Sequence, residues 1–218
     1  NRGAISVVVP EAYELVNVVF ALTATGQKDP NLIYQRSEYY QRVRAWFDRF
    51  RDHAVVAALD AELVADPMRY FNLKMNGYSF ELDADGRIVQ SRVYDRSGSS
   101  GEPGNSLRPF VPLLDAFARA SDFRTFYRQN RPVYQAQIDF FETQADLKGM
   151  IAWLSRTFPA TAYDGYKVIF SPLVAYNQSA TWFVTPGFRE LHAHVNFPYS
   201  EDLARYKAEG LSSAAARV

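Results

Sequence analysis

The residues best suited to chemistry lie in 187–198, which reads Gly-Phe-Arg-Glu-Leu-His-Ala-His-Val-Asn-Phe-Pro. Leu191, Ala193, Val195 and Phe197 alternate with Glu190, His192, His194 and Asn196. Side chains of an extended chain point to opposite faces with period two, so this pattern predicts a half-buried strand. Two imidazoles two residues apart then share one face, roughly 7 Å apart at Cα for a rise of about 3.3 Å per residue. Rings so placed can reach one metal ion, with Glu190 as a third ligand. Zinc asks for three protein ligands and a water, or for four protein ligands. The simpler expectation for the same face is contact with water or a partner. The chain has three histidines, so His53 is the one imidazole left to join this pair. At the end of a helix its cation would instead complement the dipole.

Such a strand needs a scaffold, and the sequence supplies mostly helix. Residues 4–9 form a β-branched run stopped by Pro10, which predicts a strand. Pro10 and Glu11 then open a helix to about Thr23, apolar nearly all round and therefore expected at the centre of the domain. Glu14 and Asn17 are its polar exceptions; buried, they need partners, and in a cleft they would be functional. Ser37 is placed to cap an amphipathic helix carrying Tyr40, Val43, Phe47 and Phe50, with Arg42, Arg44, Arg49 and Arg51 toward water. A further helix over 54–64 and a short one from Pro67 follow.

Residues 78–82 and 87–94 read as a hairpin around Asp83-Ala-Asp-Gly86. The aspartates there suit a turn, because the spacing of a calcium loop is missing. Residues 95–106 read as a surface loop. Helices are expected over 109–119, 122–129, 132–144 and 146–157, with Ser121 and Asn130 at N-cap positions. Strands return at 166–170 and 180–184, Pro186-Gly187 turns into the histidine strand, and 201–209 reads as a last helix. The expectation is a single α+β domain over 1–218, mainly helical, with a small antiparallel or mixed sheet.

Composition narrows the function. There are 24 basic and 24 acidic residues and no basic stripe, so a nucleic-acid role lacks electrostatic support. The longest apolar run, 15–22, is interrupted by Asn17 and too short to span a bilayer. Absence of cysteine excludes disulfides, thiolate zinc sites and thiol catalysis; it fits an exported or periplasmic protein and also many cytosolic ones, so it does not fix the compartment. A first residue other than methionine and the small apolar end at 211–218 suggest a piece of a longer protein.

Two stretches carry a resemblance: Pro10-Glu-Ala-Tyr-Glu-Leu-Val-Asn-Val-Val-Phe-Ala-Leu-Thr23 and Ile169-Phe-Ser-Pro-Leu-Val-Ala-Tyr-Asn-Gln-Ser179. With 45–59, 78–86 and 123–158, they resemble an uncharacterised bacterial family, a domain of unknown function whose members look like zinc metallopeptidases of the gluzincin kind. The resemblance implies a hydrolase acting on peptides or proteins, with zinc in the full-length protein. Its metal helix, a His-Glu-x-x-His pattern, would follow the Asn-Gln-Ser segment and the next strand; no such motif occurs here. No family ligand carries over to a residue of this chain. The resemblance also implies that the late strands wall a substrate groove, with Asn177, Gln178 and Glu190 as groove candidates. The alternative is a non-catalytic binding or interaction domain on the same scaffold.

Overall fold

The computed structural model describes residues 3–91, 94, 104–159, 163–175 and 178–195. Strand β1, Ala4–Val8, gives way at Pro10 to helix α1, Glu11–Leu22. Proline at the N-cap and glutamates in the first turn open α1, and every residue from Ala12 to Leu22 is buried. Helices α2 (Ala24–Lys28), α3 (Glu38–Phe47), α4 (Ala54–Ala65) and α5 (Arg69–Asn76) follow, and α1 packs against all four. The short hairpin β2 (Phe80–Leu82) and β3 (Ile88–Gln90) precedes α6 (Val111–Ala120), α7 (Phe123–Gln129), α8 (Arg131–Gln144) and α9 (Leu147–Thr157). The chain closes on β4 (Gly165–Ile169), β5 (Ser179–Thr185) and β6 (Phe188–His194). This is the mainly helical α+β fold expected. No helix among the described residues is long and apolar enough to cross a membrane.

Four strands form one mixed sheet in the order β1-β4-β6-β5. β1 and β6 both run parallel to β4, whereas β5 is antiparallel to β6. Parallel neighbours need a crossover, and the helical body between β1 and β4 is that crossover. The sequence order of the strands therefore hides their spatial order. β5 and β6 form a hairpin through Pro186 and Gly187, where Gly187 takes φ 80. Proline followed by a residue at positive φ is the pattern of a type II turn.

The core is aromatic at its helical end. Phe47 meets Phe126 edge-on at 4.8 Å and stacks near Phe117 at 5.9 Å between ring centroids. Leu15, fully buried in the middle of α1, ties this core to the rest. Leu15→Ala is expected to lower stability by about 2–5 kcal/mol, from lost transfer energy and a residual cavity. Urea unfolding measures it, and a loss below about 0.5 kcal/mol would remove Leu15 from the core.

Several local expectations change. Ser37 caps α3 as expected, accepting from the Tyr40 amide. Ser121 and Asn130 do not cap by side chain: each folds back, onto the carbonyls of Phe117 and Phe126 respectively. His53 is the N-cap of α4, where a nitrogen lone pair accepts from the Val55 amide at 3.3 Å; it does not end the preceding helix. Asp83 accepts from the amides of Asp85 and Arg87, so the acidic loop is a turn. Most of the loop at 95–106, Asn196, Phe197 and the helix expected over 201–209 lie outside the described residues.

Candidate functional site

On β6 the alternation read from the sequence holds, but its direction reverses. Glu190, His192 and His194 are the buried positions, with His192 at 0% and His194 at 1% exposure. Leu191, Ala193 and Val195 are only half-buried. The expectation that this polar face meets water is overturned, because β6 is an inner strand with cover on the histidine side. Tyr78, after α5, sets its ring 4.5 Å from that of His192. Tyr94 lies at 5.5 Å and Phe183 of β5 at 4.9 Å. Tyr13 of α1 covers His194 at 5.5 Å.

Buried polar groups need partners, and here the sheet register provides them. Lys167 of β4 stands opposite His192, and Gly165 opposite Glu190. Glu190 Oε1 accepts from Lys167 Nζ at 2.7 Å and from His192 Nε2 at 2.6 Å. Lys167 Nζ also donates to the Tyr94 hydroxyl and lies 4.6 Å from the centre of that ring. Burial works to raise the Glu190 pKa, but the hydrogen bonds from His192 and Lys167 and their charges outweigh it and hold the carboxyl at about 2. An ionised carboxylate only accepts, so His192 carries its proton on Nε2. His194 Nε2 lies 3.4 Å from the Thr181 hydroxyl of β5. Gly165 makes room for the group: a Cβ there would sit 2.8 Å from Glu190 Oε2.

This arrangement does not fit zinc. Glu190 and His192 are spent on each other, and a lysine ammonium already occupies the same carboxylate oxygen. The two imidazole centroids are 6.2 Å apart. No group of three histidine, cysteine, aspartate or glutamate side chains among the described residues could hold a metal ion. His53 lies elsewhere, edge-on to Phe117 at 5.4 Å. The cluster is instead a buried charge network, opening at Tyr94 into a shallow depression shared with Tyr78, Phe80 and Ser91.

The groove candidates separate. Glu190 belongs to the buried network, Gln178 is exposed just before β5, and Asn177 lies outside the described residues. β5 itself is the sheet edge, paired with β6 on one side and with no described strand on the other. Thr181 and Phe183 point inward, while Trp182 and Val184 are 53% and 63% exposed. Lys167, Tyr94, Tyr78 and Gly165 were missed from sequence. A lysine inside the β-branched run 166–170 was the one local signal; its partner depends on a pairing between segments 25 residues apart, Lys167 with His192. Comparison with protein-family models, curated proteins and solved structures yields no match to this chain.

Proposed function

We propose that this chain forms the peptide-binding wall of a metallopeptidase-like hydrolase, with an extended substrate pairing along β5. The observation that supports this reading is the edge position of β5 among the described strands, an antiparallel strand next to β6, whose Glu190 and His192 join Lys167 of β4 in a hydrogen-bonded network. An edge strand presents a row of backbone donors and acceptors that an extended peptide satisfies as an added strand. The resemblance drawn from 10–23 and 169–179 adds zinc as the cofactor of the full-length hydrolase. On this reading its ligands are residues other than His192 and His194.

A second reading, a non-catalytic domain that binds extended peptides, uses the same edge. It is favoured by the engagement of His192 with Glu190 and of both imidazoles in ring packing. The test is amide NMR during titration with a library of short extended peptides. Shifts and exchange protection are expected along 179–185, and backbone N-methylation of the peptide should abolish them. Peptide-induced shifts that avoid β5 altogether, or no shift with any peptide, would overturn the docking surface. Zinc separates the two readings. This chain alone is expected to bind zinc weakly or not at all. If the encoded protein continues past Val218, the hydrolase reading expects that longer protein to hold one zinc and to lose peptide cleavage with a chelator. His192→Ala with His194→Ala should leave that zinc in place. A longer protein that binds peptide but neither zinc nor cleaves selects the binding domain.

A further inference from the structure

Glu14 lies in the first turn of the buried helix α1 with no exposed surface. Its Oε1 accepts a 2.7 Å hydrogen bond from the Tyr39 hydroxyl of α3. That hydroxyl is in turn 2.7 Å from the hydroxyl of Tyr134 on α8, where either oxygen can donate. Glu14 Oε2 is buried and makes no hydrogen bond among the described residues. Ser171, after β4, eases the carboxylate charge without closing a hydrogen bond to Oε2. Tyr134 lines a surface groove with Val9, Tyr127, Arg131, Gln135 and Ile138. Three hydrogen-bonding groups therefore run without a break from the buried Glu14 to Tyr134, which is 3% exposed and belongs to the lining of that groove.

The protonation state of the carboxyl dictates which way the chain points. A carboxylate only accepts. Tyr39 must then donate to Glu14, Tyr134 donates to Tyr39, and both phenolic protons face inward. A carboxylic acid has one donor. Held on Oε2, that proton has only the neighbouring Ser171 hydroxyl to turn to, and no hydrogen bond to Oε2 is closed there; a buried donor left unpaired costs about 1–3 kcal/mol. Held on Oε1, it donates to Tyr39, Tyr39 donates to Tyr134, and the Tyr134 proton turns toward the groove.

We propose that Glu14, Tyr39 and Tyr134 form a proton relay, and that the relay reverses the direction of its hydrogen bonds as Glu14 gains or loses a proton. On protonation, the Tyr134 oxygen takes a proton from hydronium in the groove and passes its own to Tyr39, which passes its own to Glu14 Oε1. Glu14 gains one proton, the solvent loses one, and both phenols end neutral. Release runs the same steps backward. The relay's output is the Tyr134 hydroxyl, offered to the groove as a donor only while Glu14 is protonated.

The surroundings suit a one-proton device near neutral pH. Burial pushes Glu14 up to about 7, against the opposing pull of Ser171 and Tyr39. Burial also raises Tyr39, Tyr134 and Tyr127, with the charge of Glu14 adding to each, so the phenols stay neutral throughout. The groups facing the relay are Tyr13 and Glu11 on α1, Tyr127 on α7, and Arg131 on α8. Glu11 is paired with Arg124 of α7 at 3.2 Å. Lys74, on the adjacent α5, does not figure among the influences on Glu14.

Infrared difference titration of the intact chain tests this. A protonated-carboxyl band is expected to titrate with a midpoint near pH 7 and to be missing in Glu14→Gln. Tyrosine bands that report donor or acceptor status should change with the same midpoint. Tyr39→Phe removes the donor to the charged form and should raise the midpoint by about one unit or more. Tyr134→Phe should keep the carboxyl band and lose most of the linked tyrosine signal. Because the phenylalanine variants keep the ring, they remain informative if Glu14→Gln fails to fold. A carboxyl titrating without any tyrosine change, or one fully ionised above about pH 5, would overturn the relay.

Discussion

Glu190→Ala is expected to lower stability by about 3–5 kcal/mol, the cost of removing one partner from a buried ion pair. The substitution strands two groups at once. The Lys167 side chain is 18% exposed, so its ammonium cannot regain full hydration, and the His192 Nε2 proton loses its acceptor in a fully buried ring. Replacing Glu190 and Lys167 together by leucine and methionine should cost less, since no ammonium is left unpaired, and the remaining loss is that of the acceptor for the buried His192 Nε2 proton. Urea unfolding near pH 7 reads both effects. The acid limb of the stability curve should change as well. Glu190 titrates at about 2 in the fold against 4.5 ordinarily, so its contribution is complete above pH 4.5 and disappears as pH falls toward 2. That limb should flatten in Glu190→Ala. A loss below about 1 kcal/mol would show that the network adds little to the fold.

Stability should also dip near pH 7, where many proteins are most stable. Two buried groups cause it. Glu14 is raised by burial from 4.5 to about 7, so the folded chain holds a proton that the unfolded chain has released. Stability therefore falls as pH rises from 4.5 to 7, by about 3 kcal/mol at 1.36 kcal/mol per unit. Lys74 is lowered by burial from 10.5 to about 7, its ammonium lying 4.7 Å from the Tyr70 ring centre. Between pH 7 and 10.5 the unfolded chain holds the proton that the folded one has lost, so stability recovers, by about 5 kcal/mol on the same scale. Chemical denaturation across pH 4.5–10.5 should trace this trough. Glu14→Gln should remove its acid side and Lys74→Met its alkaline side. A flat profile through pH 7 in the unsubstituted chain would contradict both burial effects.

The helical body was legible in the sequence because its signals are local. Pro10 and Glu11 mark the start of α1, Ser37 the start of α3, and the aromatic spacing at Tyr40, Val43 and Phe47 the buried face. Period two identified β6 for the same reason. Which side of β6 faces inward was not legible, because inside and outside depend on what covers a strand. Here Tyr78, Tyr94 and Tyr13 arrive from parts of the chain 98 residues or more away, counting from Tyr94 to His192. Hydropathy alone assigned Leu191 and Ala193 to the core, whereas the register with Lys167 assigns it to Glu190 and His192. Glu14 was recognised as a buried exception, but its partners on α3 and α8 lie 25 and 120 residues along the chain. No spacing rule reaches that far.

The inward charge network bears on how this sheet finds its pairing. Sliding a strand by one residue exchanges its two faces, and the usual guard is a clear difference in hydropathy between them. β6 lacks that guard, since the face with Leu191 and Ala193 is the more apolar one yet lies partly outside. Hydrophobic burial alone would favour the slipped arrangement. In that arrangement Glu190 would lose Lys167 and would no longer face Gly165, the one position opposite it without a side chain in the way. The lysine, the carboxylate and the glycine thus act as a key that only one alignment of β4 and β6 accepts. A network so placed discriminates between sheets of similar hydrophobic content, a task in which ionic groups can succeed even where they add little net stability.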